Sequence, residues 1–116
     1  MKNKPFIQRL SFALQGIKAS WQSERSFRTQ SLFALLLLPL LIILQPALIW
    51  WAISTLIAVL VLAAELINTA LEHLVDHLHP EQHPRIKIVK DCAAGAVLIL
   101  SAGAVIIAGL MIYSTE

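Results

Sequence analysis

The stretch that decides the fold runs from Trp50 to Asp76 and reads WWAISTLIAVLVLAAELINTALEHLVD. Its first part is free of charge, and a membrane-spanning helix needs about 20 predominantly apolar residues. Glu65 then places a carboxylate inside the span, where a charge is costly and marks a candidate functional site. Within about 80° of one helix face lie four polar residues of this stretch, Glu65, Asn68, Glu72 and Asp76.

The composition is that of a single membrane domain covering residues 1–116, because 58% of the residues are hydrophobic and only 14% are charged. Charged residues are missing from two long stretches, 29–64 and 92–115. The first is long enough for one span and most of a second, if Gln45-Pro46 forms a tight turn. We therefore expect an all-α protein with transmembrane helices at about 31–48, 50–75 and 91–113.

The segment before the first span, residues 5–28, predicts an amphipathic helix lying in the membrane interface. Its apolar face comprises Phe6, Leu10, Ala13, Leu14, Ile17 and Trp21. If the helix continues, Glu24 and Arg28 turn toward the spans, which an interfacial anchor does not require. The alternative is an ion pair at i, i+4 spacing that only caps the juxtamembrane turn.

Basic residues indicate the orientation of the chain in the membrane. They precede the first span or lie between the second and third: Lys2, Lys4, Arg9, Lys18, Arg25, Arg28, Arg85, Lys87 and Lys90. The positive-inside rule then places the N-terminus and the second loop in the cytoplasm, and the C-terminus outside. The formal net charge of +2 suits contact with anionic lipid heads and not with nucleic acid.

The polar stripe opens only toward the cytoplasm, because the outer half of every predicted span is apolar. A polar stripe that is open to the cytoplasm and closed toward the outer side favours a reaction between a cytosolic reactant and a membrane-resident one. A proton-coupled transporter would need polar groups on both sides of the midplane. A third interpretation is a non-catalytic assembly subunit, in which the stripe only joins helices by hydrogen bonds.

Other side chains carry weaker signals. His73 and His77 have the i, i+4 spacing of a zinc pair, but solvated loop residues or ligand contacts fit the proline-broken loop better. No Gly-x-x-x-x-Gly-Lys or Gly-x-Gly-x-x-Gly motif is present. A bound nucleotide would therefore be held by basic side chains and by carboxylate-bound Mg²⁺, for which Glu24 and Glu72 are the natural ligands.

A stripe of small residues in the third span, Gly95, Ala102 and Gly109, is typical of close helix packing. We expect this stripe to bring Lys90 and Asp91 against the acidic helix.

Five sequence pieces, in order along the chain, carry a resemblance to a known family. They are Ala13-x-x-Gly16, Glu24-x-x-Phe27-Arg28, Glu65-Leu66-Ile67-Asn68-Thr69-Ala70-x-Glu72-x-x-x-Asp76, Glu81-x-His83 and Lys90-Asp91-x-x-Ala94-Gly95-Ala96-Val97-Leu98. The chain resembles the small prokaryotic diacylglycerol kinase family, which includes undecaprenol kinases. The acidic stretch followed by Lys-Asp is the most specific part of the match.

The resemblance implies a homotrimer in the bacterial inner membrane, with active sites shared between neighbouring subunits. It implies Glu65 as the general base and Asn68 as the residue that helps to place it. Glu24 and Glu72 would hold Mg²⁺ on ATP. The nucleotide site would be completed by Asp76, Glu81, His83, Lys90 and Asp91. The lipid head would lie near Ser26, Phe27, Arg28 and Ala94.

The function implied is ATP-dependent phosphorylation of a membrane lipid hydroxyl at the cytoplasmic face, with diacylglycerol as the expected substrate and undecaprenol as the alternative. Where the diacylglycerol branch usually has Gly-Ser-Ala, this chain has Ala93-Ala94-Gly95. Ala94 therefore lacks a hydroxyl near the lipid head, which favours the undecaprenol branch. The Ala19-Ser20-Trp21 segment favours the diacylglycerol branch, so the sequence leaves the lipid open.

Overall fold

The computed structural model describes residues 3–115, so that Lys2 and Glu116 lie outside it. Within these residues there are four α-helices: α1 (Phe6–Ser23), α2 (Arg25–Leu44), α3 (Leu48–Leu78) and α4 (Pro84–Thr115). The prediction of an all-α fold is thereby confirmed. The helices α3 and α4 pack along each other, α2 packs mainly on α3, and α1 contacts α2 and α3.

Three of the four helices, α2, α3 and α4, are long and apolar enough to cross a membrane. The 31 residues of α3 and the 32 of α4 exceed the length of one span, since about 20 residues suffice. Their charged ends, with Asp76 on α3 and Lys87 and Lys90 on α4, lie at the same end of this helix pair. The uncharged part of α4, residues 92–115, is the part that suits a bilayer.

A break at Glu24 separates α1 from α2. Glu24 has an extended backbone (φ −119°, ψ 111°), and α2 begins at the next residue. The surface helix was expected to continue to Arg28, but Ser26, Phe27 and Arg28 belong to the first turn of α2. Phe27 is buried there, and its turn is directed toward the other helices.

The connection from α2 to α3 is the tight turn expected at Gln45-Pro46. Gln45 adopts the left-handed conformation (φ 47°), and its backbone N–H donates to the carbonyl oxygen of Leu41. Pro39 lies inside α2 without ending it, as is tolerated in membrane helices. Leu41 and Pro46 are buried, so this end of α2 is held against the bundle.

The N-terminal part of α3 and the C-terminal part of α4 meet at a buried contact. The Ser54 hydroxyl donates to the sulfur of Met111 at 3.7 Å, and both side chains are fully buried. Trp50 and Tyr113 therefore lie at the same end of the helix pair, and aromatic residues of this kind are enriched at the interfaces of membrane proteins.

The predicted stripe of small residues on α4 is not the surface that meets α3. Ala102 and Gly109 are exposed, and a Cβ atom added at Gly95 or Gly109 would have no neighbour within 4 Å. The expectation that this stripe packs on the acidic helix, which is α3, is therefore wrong for contacts within one chain. Small residues occur on several faces of α4, so their spacing does not identify the packed face.

The guanidinium of Arg28 caps the C-terminal end of α1. Its Nη1 atom donates to the carbonyl oxygens of Trp21 and Gln22, at 2.8 and 3.3 Å. These carbonyls lack partners within α1, because a helix leaves its last four C=O groups free. The alternative of a Glu24–Arg28 ion pair is not seen, since the ion pairs among residues 3–115 are Lys87–Asp91 and Lys90–Asp76.

Replacing Arg28 by Ala is expected to loosen the last turn of α1, because two carbonyl oxygens lose a charged donor. A charge-assisted hydrogen bond contributes about 1.5–3 kcal/mol, less when exposed, so amide exchange in residues 19–24 should rise roughly tenfold. Hydrogen-exchange mass spectrometry in detergent micelles measures this change. Arg25→Ala is the matched control, and equal exchange in the two variants would contradict the capping role.

Candidate active site

Glu65 is buried in the bundle with one defined partner. Its side chain is 1% exposed, and its Oε1 atom accepts a hydrogen bond of 2.6 Å from the hydroxyl of Ser26. The contact joins the first turn of α2 to the C-terminal half of α3. A buried carboxylate without a donor would be strongly unfavourable, so this hydrogen bond accounts for the position of Glu65 within a spanning helix.

Asn68 lies one turn from Glu65 on α3, and its Oδ1 atom is buried without a hydrogen-bond donor among the described residues. An unsatisfied buried acceptor costs about 1–3 kcal/mol. Thr69, which is also buried, satisfies its own hydroxyl by donating to the backbone oxygen of Glu65. The Asn68 oxygen is thus available to a donor outside this chain.

The loop between α3 and α4 encloses a polar cavity of about 560 Å³, which we call the loop cavity. Its lining includes five of the residues expected at a nucleotide site, namely Asp76, Glu81, His83, Lys90 and Asp91. Binding sites for small molecules commonly have volumes of about 300–1,000 Å³. Glu24 and Glu72, the other two residues expected there, are not part of this lining.

Charged side chains in the loop cavity form two ion pairs. Lys90 Nζ donates to Asp76 across the α3–α4 contact at 2.5 Å, and Lys87 Nζ donates to Asp91 at 2.6 Å on the surface of α4. The hydrogen bond that Lys90 donates to Asp76 raises the pKa of Lys90, and the negative charge of Glu72 adds to this shift. The hydrogen bond that Lys87 donates to Asp91 likewise raises the pKa of Lys87. Both lysines are therefore cationic at neutral pH.

His83 has a structural task at the start of α4. Its Nδ1 atom accepts a hydrogen bond of 3.1 Å from the backbone N–H of Arg85, and its backbone oxygen accepts from that of Lys87. His83 thus caps the helix while its ring borders the loop cavity. Among residues 3–115, no group of three or more His, Cys, Asp or Glu side chains is arranged to hold a metal, so the zinc interpretation of His73 and His77 gains no support.

Glu72 lies on α3 between Glu65 and the loop cavity. At ~1.5 Å per residue, it is about 10 Å along the helix from Glu65 and about 6 Å from Asp76. Neither Glu72 nor Glu24 forms a side-chain hydrogen bond or ion pair with another described residue. Glu24 lies two residues before Ser26, so the Ser26–Glu65 contact brings the α1–α2 junction beside α3. Both carboxylates are half-buried and have oxygens free to bind a cation.

A second cavity, the apolar cleft, has a volume of about 440 Å³ and lies between α2, α3 and α4. Its α3 wall includes Ser54, Ala58 and Val61, which continue the helix face of Glu65 away from the loop cavity. At its inner end the amide Nε2 of Gln30 donates to the Ser101 hydroxyl at 2.9 Å. Gln30 and Ser101 are not among the residues that the sequence predicted for the site. Both are polar residues within stretches that lack charged residues, and this feature of the sequence could have identified them.

The four helices, the buried Glu65 and the polar cavity at the helix ends define a membrane protein with a site at one end of its spans. The profile of the prokaryotic diacylglycerol kinase family matches residues 11–112. The chain belongs to this family.

Individual relatives agree with the family match. A diacylglycerol kinase of Synechocystis is 35% identical over 102 residues, which are 87% of this chain and 58% of the relative. The undecaprenol kinase of Bacillus subtilis is 34% identical over 108 residues, which are 93% of this chain and 87% of the relative. The diacylglycerol kinase of Escherichia coli is 29% identical over 108 residues, 93% of this chain and 88% of the relative. The chain thus spans less than two thirds of the Synechocystis protein.

Removal of the Ser26 hydroxyl tests the partner of Glu65. Ser26→Ala leaves a buried carboxylate oxygen without its donor and is expected to destabilise the protein by about 1–3 kcal/mol. Unfolding by increasing SDS in mixed micelles, followed by tryptophan fluorescence, measures this loss. Ser23→Ala is the control, because the Ser23 hydroxyl donates to Ala19 within its own helix. Equal stability of the two variants would show that Glu65 does not depend on Ser26.

Proposed function

We propose that this protein transfers the γ-phosphoryl group of ATP to the hydroxyl of a membrane lipid, with diacylglycerol as the substrate and phosphatidic acid as the product. Family membership supports the reaction class, and most of the relatives described above are named diacylglycerol kinases. Glu65 is the proposed general base, and the loop cavity is the proposed nucleotide site.

The observation that carries the proposal is the contact between Ser26 and Glu65. Ser26 presents a primary alcohol at 2.6 Å from Oε1 of a buried carboxylate. A general base must lie within about 2.6–3.2 Å of the oxygen whose proton it accepts. The lipid substrate is itself a primary alcohol, so the same carboxylate geometry suits its hydroxyl.

The nucleotide is proposed to lie in the loop cavity with its phosphates directed along α3 toward Glu65. Lys90 and Lys87 provide positive charge at the cavity. Glu72 lies on the path between the cavity and Glu65. This arrangement supports an approach of the two reactants from opposite sides, with the nucleotide coming from the aqueous end of the helices and the lipid from the bilayer.

Glu24 and Glu72 are the proposed ligands of a magnesium ion. Their carboxylates are free of protein partners among the described residues, and Mg²⁺ is typically bound by one or two carboxylates together with phosphate oxygens. When bound, the ion neutralises charge on the transferred phosphoryl group.

In the proposed reaction, Glu65 accepts the proton of the lipid hydroxyl while the lipid oxygen forms a bond to the γ-phosphorus of ATP. The bond from that phosphorus to the bridging oxygen breaks, and ADP leaves. Lys90 offsets the negative charge on the phosphates after exchanging its Asp76 partner for them. The proton on Glu65 then passes to water at the loop end. Positioning and electrostatics supply most of the catalysis in such a transfer.

We further propose a homotrimer whose α1 helices lie on the cytoplasmic surface of the bacterial inner membrane. The apolar side chains of α1 are exposed within the chain, as Phe6 (72%) and Leu14 (58%) illustrate. A surface that is apolar and unpartnered in one chain suits contact with lipid. The N-terminus and the loop cavity would then face the cytoplasm, where ATP is available.

Undecaprenol phosphorylation is the alternative within the same mechanism. The Bacillus subtilis relative carries the name undecaprenol kinase. Ala94 on α4 is exposed and lacks the hydroxyl that the diacylglycerol branch usually has at this position. Both lipids present a primary alcohol to Glu65, so the choice between them depends on the surroundings of that alcohol.

Glu65→Gln is expected to reduce turnover by at least about a thousandfold, because an amide does not accept the hydroxyl proton. Purified protein is assayed with radiolabelled ATP, offering diacylglycerol and undecaprenol side by side. ATP binding and oligomer size should match those of the unmodified protein. Near-normal turnover would end the general-base assignment, whereas ATP-independent ion flux in liposomes would support the transporter interpretation.

Glu72→Ala is expected to raise the Mg²⁺ concentration needed for half-maximal activity by about tenfold, because one carboxylate ligand is lost. Activity titrated with Mg²⁺ at saturating lipid measures this shift. Glu81→Ala is the comparison, since Glu81 borders the loop cavity without a proposed metal contact. The metal assignment is wrong if both variants show the Mg²⁺ dependence of the unmodified protein.

A further inference from the structure

Gln30 and Ser101 form a polar pair at the inner end of the apolar cleft. The pair joins α2 to α4 through the 2.9 Å hydrogen bond from Gln30 Nε2 to Ser101 Oγ, and both residues line the cleft. Gln30 lies one turn beyond Ser26 on α2, and Val61 lies one turn beyond Glu65 on α3. The polar pair is therefore about 6 Å deeper in the bundle than the Glu65 carboxylate.

The polar pair has unused hydrogen-bond donors. A glutamine amide carries two N–H donors, and Gln30 uses one of them on Ser101. The Ser101 hydroxyl accepts that bond and donates to no other described residue. The pair thus offers donors to an acceptor oxygen in the cleft, whose α2 and α4 walls are otherwise lined by apolar side chains.

We propose that Gln30 and Ser101 bind an ester carbonyl of the lipid substrate and thereby select a diacylglycerol over a polyprenol. The inference rests on the lipid kinase function proposed above and names the substrate class of that site. In diacylglycerol, the carbon that bears the free hydroxyl is bonded to a carbon that bears an ester. With the hydroxyl at Glu65, an ester oxygen lies within about one helical turn of it, at the depth of the polar pair.

The occupant of the apolar cleft is then an acyl chain of the same lipid. The cleft begins at the polar pair and continues to Leu40 and Ser54, away from Glu65. Its lining is almost entirely apolar, and its volume of about 440 Å³ falls within the range of ligand sites. The hydroxyl of the lipid thus contacts Glu65, its ester contacts the polar pair, and its hydrocarbon chain lies in the cleft. This is the order of these groups along a diacylglycerol molecule.

A polyprenol has only hydrocarbon at the depth of the polar pair. Its binding leaves the free donors of Gln30 and Ser101 against apolar groups, whereas an ester carbonyl satisfies one of them. A neutral hydrogen bond contributes about 0.5–1.5 kcal/mol, which corresponds to a preference of roughly 2- to 12-fold.

The test compares lipids that differ only in the ester. The unmodified protein is assayed in mixed micelles with dioleoylglycerol, with the dioleyl ether of glycerol, and with undecaprenol. The ester lipid is expected to have a kcat/KM about five times that of the ether. In Gln30→Leu, which removes the amide donors of the pair, kcat/KM on the ester lipid should fall about fivefold, to the value on the ether. In Ser101→Ala, which removes one donor and leaves those of Gln30, the ester preference should shrink.

Gln8→Leu is the matched control, since Gln8 is exposed on α1 and lines neither cavity. It should keep the ester preference. Equal rates on ester and ether lipids in the unmodified protein would overturn the inference while leaving the kinase proposal intact. Equal losses of kcat/KM on all three lipids in both variants would also overturn the inference. The pair would then only hold helices together, or the cleft would be occupied by a helix of a second copy of the chain. Phosphorylation of no lipid at all would contradict the kinase proposal itself.

Discussion

The hydrogen bond between Ser26 and Glu65 is the constraint on which the rest of the site depends. A carboxylate that is 1% exposed inside a spanning helix requires a donor, and the only donor to its side chain among residues 3–115 comes from the first turn of α2. This contact fixes how α2 lies on α3. Because Glu24 precedes Ser26 by two residues, it also fixes the α1–α2 junction beside the polar half of α3.

Helix α3 then separates two environments. Toward its C-terminal end it carries Glu72 and Asp76 to the polar loop cavity, and toward its N-terminal end it lines the apolar cleft with Val61 and Ser54. Glu65 lies between the two cavities. A water-soluble reactant and a lipid can therefore meet at one carboxylate without either entering the other's environment, which is the geometric requirement of the proposed phosphoryl transfer.

The sequence predicted the features that depend on composition along one helix. Charge-free stretches located the three apolar helices, and the face shared by Glu65, Glu72 and Asp76 followed from helical periodicity. The turn at Gln45-Pro46 was marked by its proline. The break at Glu24 was not predicted, because neither glycine nor proline marks it and the apolar pattern continues through Phe27.

Features that depend on how one helix is rotated against another could not be predicted from the sequence. Gln30 and Ser101 are 71 residues apart, and nothing local to either residue identifies the other as its partner. For the same reason the stripe through Ala102 and Gly109 was assigned to the wrong surface of α4. Family motifs indicated the residues of the loop cavity, but the ion pair that brings Lys90 to Asp76 is a property of the packed helices.

The burial of Glu65 has a consequence for the release of the product in the proposed reaction. Diacylglycerol is uncharged, so it can approach a carboxylate within the bilayer without an electrostatic penalty. The phosphate monoester formed there carries up to two negative charges, and it lies beside the Glu65 carboxyl group in surroundings where ions are poorly solvated. Hydration draws the new headgroup toward water, and repulsion adds to this once Glu65 has lost the proton that it accepted. In the proposed reaction, the burial of Glu65 thus favours entry of a neutral substrate and disfavours the return of its charged product.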